Sequence, residues 1–428
     1  MFAVSRVTVP LAMAALLLAG PAGAQPQGGP TAPPAPVVDA LVERALSRAP
    51  SLAARQARVQ AAQSALLAAG ALPDPMFEAE YQAFNFPRYT IGSDPGSMAG
   101  VSFRQGLLSG GRRKASRAVA TAEATMRTAE QRALTADIAT EVRVQYARLF
   151  AIDREQEVLA DAAQILRLLE STVAARYAAG EGDQASLLRV QLEQTRLGQR
   201  QADLRTERAV VQTAIDKLTN DPPETAIGTV AALPPAALPT VVETLIDDAG
   251  KRAPVVSLRE AELGVAERQV DAARAELKPA WSVGGGVFWQ GGFDRMVNLN
   301  VGIELPLFKK RKQLPLVAAA ESERRAASLE LSATALEVRA EAATLLAQYQ
   351  NAVAQIERYR DGLLPQNSTA LDASRASYLG GRGDFVSVLD EFRRWIDLRT
   401  ELAGREAERY AAQARLAALL VPPPAPTL

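Results

Sequence analysis

The chain is written twice. The segment VVDALVERALSRAPSLAARQARVQ, starting at Val37, returns as VVETLIDDAGKRAPVVSLREAELG, starting at Val241. At an offset of 204 the pairs Val37/Val241, Leu41/Leu245, Arg48/Arg252, Pro50/Pro254, Arg55/Arg259 and Pro75/Pro279 are identical. The offset drops to 200 for Val101/Val301 and Leu107/Leu307, and becomes 201 for Tyr177/Tyr378, Gly180/Gly381, Gly182/Gly383 and Asp183/Asp384. Small indels between matching blocks are what loops produce, so two tandem copies of one unit span 37–220 and 241–420, joined by a linker over 221–240. Any fold for this chain must accommodate that unit twice.

Composition removes many functions. There is no Cys and no His, which excludes disulfides, thiol catalysis, a Ser-His-Asp triad and the usual zinc site. Lys+Arg and Asp+Glu balance at 48 each, so no net field draws nucleic acid. No carboxylate pair, Gly-rich phosphate loop or metal cluster stands out. The reading is of a protein that is not an enzyme and holds no cofactor and no metal.

Residues 1–24 carry Arg6, an apolar run from Leu11 to Ala19 and Ala22-Gly23-Ala24, the pattern of a cleaved secretory signal. No Cys follows it to take a lipid. Residues 25–36 and the tail 421–428 are Pro-rich and read as extended or disordered. No other segment offers eighteen uncharged apolar residues for a transmembrane helix.

Each repeat reads helix, strand, strand, long helix, helix. Repeat one opens with a helix over 37–70, then strands over 76–87 and 97–108, then helices over 111–179 and 184–219. Repeat two opens with a helix over 241–277, then strands over 281–290 and 296–307, then helices over 315–379 and 385–420, with a kink or break expected at Pro365. A helix of about 65 residues is roughly 100 Å long and needs partners along its length. Val190, Leu197, Leu204, Val211 and Leu218 recur every seven residues and supply a coiled-coil seam. The fold class is therefore mainly α with a small β part.

The strands alternate. Val297, Leu299, Val301, Ile303 and Leu305 share one face, with Asn298, Asn300, Gly302 and Glu304 on the other. Phe77, Ala79, Tyr81 and Ala83 alternate with Glu78, Glu80 and Gln82. Segments of about ten alternating residues with aromatics near their ends match outer-membrane barrel strands, although a soluble sheet packed on helices alternates too. Four strands cannot close a membrane barrel, and an open edge cannot face lipid. Strands that span a membrane would therefore need several chains. In such a barrel Glu78, Glu80, Arg104 and Glu304 face the polar lumen.

These features together resemble the TolC-type outer-membrane efflux proteins. The resemblance rests on the duplicated order of elements and on a set of short motifs. Those are Leu72-Pro73-Asp74-Pro75, Gly110-Gly111-Arg112-Arg113-Lys114, Leu363-Leu364-Pro365-Gln366, Tyr378-x-x-Gly381 and Val388-Leu389-Asp390. The flavour is that of the heavy-metal, CzcC/CusC-like branch serving resistance-nodulation-division pumps. The resemblance implies a homotrimer with a twelve-stranded barrel in the outer membrane of a Gram-negative bacterium, continuing into a coiled-coil tunnel through the periplasm. It implies a passive exit duct for small solutes, metal cations or drugs, working with a periplasmic adaptor and an inner-membrane pump. The exit duct of type I protein secretion and a periplasmic coiled-coil adaptor or tether are the alternative readings.

Three sets of residues are candidates for function. Tyr177, Gly180, Glu181, Gly182 and Asp183, with Tyr378, Gly381, Arg382, Gly383 and Asp384, sit between long helices. Gly supplies a left-handed turn there and Asp a helix cap. The resemblance makes these turns the periplasmic tips, where the tunnel is gated and an adaptor docks. Just beyond, Arg189 and Asp390 occupy equivalent positions with opposite charge and are expected to meet between adjacent hairpins. Finally, Arg112, Arg113 and Lys114, and Lys309, Lys310, Arg311 and Lys312, follow the second strand of each repeat. They read either as ligands for phosphate head groups of outer-membrane lipid or as solvated junctions.

Overall fold

The structure is a computed structural model and describes residues 37–82, 97–107, 110–223, 225–235, 238, 242–290 and 294–420. The expected signal peptide, the 25–36 segment, the ends of two strands over 83–87 and at 108, and the Pro-rich tail lie outside the described residues.

Repeat one contains α1 (Val38–Arg48), α2 (Pro50–Ala68), β1 (Met76–Gln82), β2 (Met98–Leu107), α3 (Gly110–Ala178) and α4 (Gln184–Thr219). Repeat two contains α5 (Val242–Arg252), α6 (Pro254–Ala275), β3 (Ala280–Trp289), β4 (Met296–Glu304), α7 (Gln313–Arg358), α8 (Leu364–Leu379) and α9 (Phe385–Leu420).

The opening helix of each repeat is two helices, not the single ones expected over 37–70 and 241–277. Ala49 and Ala253 adopt extended ψ values of 116° and 141°, each immediately before a proline. The proline ring disfavours a helical conformation for its predecessor, so the chain turns there and restarts with Pro at the first helical position. At Pro365 the outcome is subtler. The chain stays helical but widens into a π-turn over Tyr359–Leu363, which absorbs the missing N–H and the ring clash. Repeat one has no proline there, and α3 runs unbroken for 69 residues, about 104 Å at 1.5 Å each.

Each long helix is partnered in relay. α2 packs along the first part of α3, and α4 takes over beyond it. In repeat two α6 packs on α7, and α9 follows along α7 and α8. The repeats join where α3 packs against both α6 and α9. Val190, Leu197 and Leu204 of the seven-residue seam are buried, in one apolar cluster with Leu166, Val173, Val388 and Phe392. A second cluster gathers α1, the middle of α3 and the end of α4. A third gathers α5, α7 and the end of α9.

Part of the linker is strapped to the first hairpin. Asp153, almost wholly buried, accepts from Arg208 Nε at 2.7 Å and from the Val230 amide at 2.8 Å. Arg208 also donates to the carbonyls of Ile227 and Gly228. Ile227 and Val230 of the strap are buried in the cluster formed with α1, α3 and α4.

The strands form one antiparallel sheet in the order β1-β2-β3-β4. β2 and β3 pair over Ala99–Leu107 and Trp281–Trp289, so the two repeats are hydrogen-bonded to each other through their strands. The outermost strands, β1 and β4, each leave one edge unpaired.

Candidate functional site

The register sorts the sheet into two faces. Cross-strand partners share a face. One face therefore holds Phe77, Ala79 and Tyr81, then Ala99, Val101 and Phe103, then Trp281, Val283, Val287 and Trp289, then Val297, Leu299, Val301 and Ile303. These side chains have nothing over them: Leu299 is 87% exposed, Phe77 72%, Val301 72%. Such an apolar surface is not stable in water. Trp281 and Trp289 stand at the two ends of this face, eight residues or about 27 Å apart along the strand. That spacing suits the apolar band of a membrane barrel once strand tilt is included.

The opposite face is polar and thin. It carries Glu78, Glu80, Arg104, Asn298, Asn300 and Glu304, so the four expected lumen residues share one side. Arg104 lies 3.7 Å from Glu78. Glycines of β3 let neighbouring side chains lie flat: a Cβ on Gly284 would stand 2.3 Å from Asn300 Oδ1. Phe288 lies on this face too, its ring over Gly100.

Below the sheet, the two basic runs diverge. Arg112 donates to the carbonyls of Glu276 (3.1 Å) and Lys278 (2.8 Å) and pairs with the Glu276 carboxylate at 3.3 Å. Arg113 donates to the Gly70 carbonyl at 2.8 Å. Both guanidiniums satisfy carbonyls just past the ends of α6 and α2, groups a helix leaves unpaired at its C-terminus. Lys114, Lys309, Lys310, Arg311 and Lys312 are exposed.

At the far ends of the long helices both turns are closed alike. Gly180 (φ +74°) and Gly381 (φ +71°) take the left-handed conformation. The Glu181 amide donates to Arg176 O and the Gly180 amide to Tyr177 O; Arg382 and Gly381 donate likewise to Ser377 O and Tyr378 O. This double bond pattern ends a helix wherever glycine permits the turn. Asp183 and Asp384 then cap the next helix, accepting from the Ser186 amide at 2.8 Å and the Ser387 amide at 2.7 Å. Hydrogen bonding from Ser186 holds the Asp183 carboxyl below its usual range, and hydrogen bonding from Ser387 does the same for Asp384. Arg189 adds a smaller lowering at both.

The two tips are not equivalent in their surroundings. Tyr177 is 47% exposed, whereas Tyr378 is 8% exposed, against Phe385 and beneath the Arg176 guanidinium. Arg176 also donates to the Tyr378 carbonyl and so ties one tip to the other. Within one chain Arg189 and Asp390 are not brought together. Asp390 instead lies 3.8 Å from Arg393, which grips the buried Glu193 of α4 at 2.7 Å.

Arg176, Glu193 and Arg393 were not singled out from sequence. A signal was present for Glu193. It falls between Val190 and Leu197 on the seam, where a charge must find a partner. The same holds for Arg200, which pairs in a fork with Glu155 at 2.7 and 3.0 Å.

Among the described residues no helix is long and apolar enough to cross a membrane. A duplicated subunit with an outward apolar sheet, unpaired at both edges and set on helical hairpins about 100 Å long, belongs to the class of outer-membrane channel proteins. The family model described as outer membrane efflux protein matches residues 41–221 and 245–420, and the chain belongs to that family. Its members are trimeric passive channels, not enzymes, and work with adaptors and inner-membrane pumps.

Solved structures share the fold. CusC superimposes with a TM-score of 0.77 at 19% identity, covering 93% of this chain and 95% of that one. VceC from Vibrio cholerae gives 0.75 at 19% identity, covering 90% and 95%. MtrE from Neisseria gonorrhoeae, captured in an open state, gives 0.72 at 18% identity, covering 90% and 89%. No curated protein matches the sequence.

Proposed function

We propose that three copies of this chain close a twelve-stranded barrel and a continuous helical tunnel, forming the exit duct through which a tripartite pump expels small solutes, metal cations or drugs. The observation that carries this reading is the pair of unpaired edges on a sheet whose outer face is apolar. Strand directions alternate along β1-β2-β3-β4, so β4 of one copy meets β1 of the next antiparallel, and the ladder closes without a defect. Lipid tolerates no open edge.

Glu78, Glu80, Arg104 and Glu304 then line the barrel lumen, three carboxylates against one guanidinium. The tips at Tyr177–Asp183 and Tyr378–Asp384 receive the hairpins of a periplasmic adaptor, which links the duct to a resistance-nodulation-division pump. Arg189 and Asp390, free of each other within the chain, face the neighbouring copies at the constriction. The likeness to CusC, described for folding and transmembrane channel formation, fits the channel reading.

Mass measurement in mild detergent tests the assembly. Three chains from the outer-membrane fraction, conducting in planar bilayers, are expected. A stable membrane-inserted monomer overturns the proposal.

A further inference from the structure

We propose that the turn from Leu307 to Lys312 is an anchor for anionic phospholipid, seating head-group phosphates of the leaflet on the helical side of the barrel. This rests on the reading that the sheet spans the membrane.

Three observations meet at this turn. First, its cations are unspent. Arg112 and Arg113 are consumed by carbonyls past the ends of neighbouring helices. Lys309, Lys310, Arg311 and Lys312 make no side-chain hydrogen bond or ion pair with any described residue. Second, the turn sits at the right depth. The outward apolar parity of β4 continues past the level of Trp281 through Leu305 (50% exposed) to Leu307 (79%), and Phe308 (72%) stands beside the cations. Apolar side chains followed at once by four positive charges match the boundary between hydrocarbon and phosphate.

Third, the turn opens a helix that lacks an anion. α7 begins at Gln313 with no side-chain cap and no acidic residue in its first turn, while four cations precede it. Cations at a helix N-terminus oppose its dipole. A phosphate placed there would neutralise the cations and complement the dipole; it would be held by the side chains, since the Leu314 amide already donates to Lys309 O and Pro315 has no N–H. By contrast, α4 and α9, remote from the sheet, carry Asp183 and Asp384 as caps. The turn is also held in shape, with the Arg311 and Lys312 amides donating to Phe308 O at 2.9 and 3.0 Å.

The test is lipid binding to the purified full-length trimer, followed by native mass spectrometry with phosphatidylglycerol and phosphatidylcholine. Wild type should prefer phosphatidylglycerol by about tenfold or more, since a cation near an anionic surface contributes about fivefold and two of the four already exceed about tenfold. The variant with Lys309, Lys310, Arg311 and Lys312 all changed to Gln should lose most of that preference and remain trimeric. Lys114→Gln should keep it. Glycerol 3-phosphate should fail to compete at equal concentration, because it brings no chains for Leu307 and Phe308.

A trimer whose preference survives the fourfold change overturns the inference and leaves the channel reading intact. So does full competition by glycerol 3-phosphate. Should the fourfold variant not assemble, wild type decides: a preference unaltered between 0.05 and 0.5 M salt also overturns it, since charge contacts are screened over that range. Absence of any membrane-inserted trimer would instead sink the channel reading itself.

Discussion

Leu299→Arg is the sharpest probe of the sheet's outer face. Ile303 pairs with Trp281, and Leu299, four residues earlier, pairs with Gly285 at the midpoint between Trp281 and Trp289. Leu299 is therefore the mid-membrane residue of β4, and it is 87% exposed on one chain. A lipid-facing Arg at the bilayer midplane costs about 2–4 kcal/mol, falling to about 0–1 near the interface. Three copies multiply the penalty to about 6–12 kcal/mol per trimer. Val301→Arg, one outward step nearer Trp281, should cost less per chain. Asn300→Arg points to the other face, where Asn300 is exposed beside Gly284. The assay is the yield of heat-dissociable trimer in the outer-membrane fraction for all three variants. Trimer should fall in the order Asn300→Arg, Val301→Arg, Leu299→Arg, with the last nearly absent. Equal yields, or an Asn300→Arg defect as severe as that of Leu299→Arg, would refute the assignment of faces.

Two further sets of substitutions test the interior. Arg393→Ala leaves the buried Glu193 carboxylate with only Arg196 at 3.7 Å and should destabilise the junction of the hairpins by about 1–3 kcal/mol, read as a lowered Tm of the detergent-solubilised protein; Asp390→Ala, whose carboxylate is mostly exposed, should change Tm little. Gly100→Ala would put a Cβ 2.3 Å from Phe288 Cδ1 and must displace that ring, altering single-channel conductance, whereas Gly100→Ala combined with Phe288→Ala should fold without strain; identical conductance in wild type and the single variant would show that the ring moves freely.

Much of this architecture was readable because its signals are periodic. The duplication, the two-residue alternation of β4 and the seven-residue seam of α4 each repeat often enough to be unmistakable. Strand order was not legible. Nothing in Val101 or Val287 alone says that repeat one pairs with repeat two through β2 and β3. Pro50 and Pro254 announced their breaks, but a continuous pattern of Ala and Leu on both sides disguised two helices as one. At Pro365 the sequence marked the place of a disturbance and not its form, since a π-turn and a break answer the same steric problem. The tips were found from Gly180, Gly381 and their following Asp residues, because turn chemistry is local. Arg176 was missed since its partners, Tyr378 and the carbonyl behind it, lie in the other repeat.

The pairing of β2 with β3 has a consequence for assembly. A ring of twelve strands built from two-stranded units would need six seams between separate bodies. Here four strands arrive already joined in each chain, and three such seams lie inside covalent molecules. Every seam made within a chain is spared the loss of translational freedom that a seam between chains incurs. Closing the ring therefore requires three partners to meet and not six, and the remaining seams, β4 to β1, become the concentration-dependent step. The internal and external seams are also free to carry different residues. Divergence between the halves, such as the π-turn in one and the unbroken α3 in the other, is open to a duplicated gene and closed to a sixfold ring of identical units.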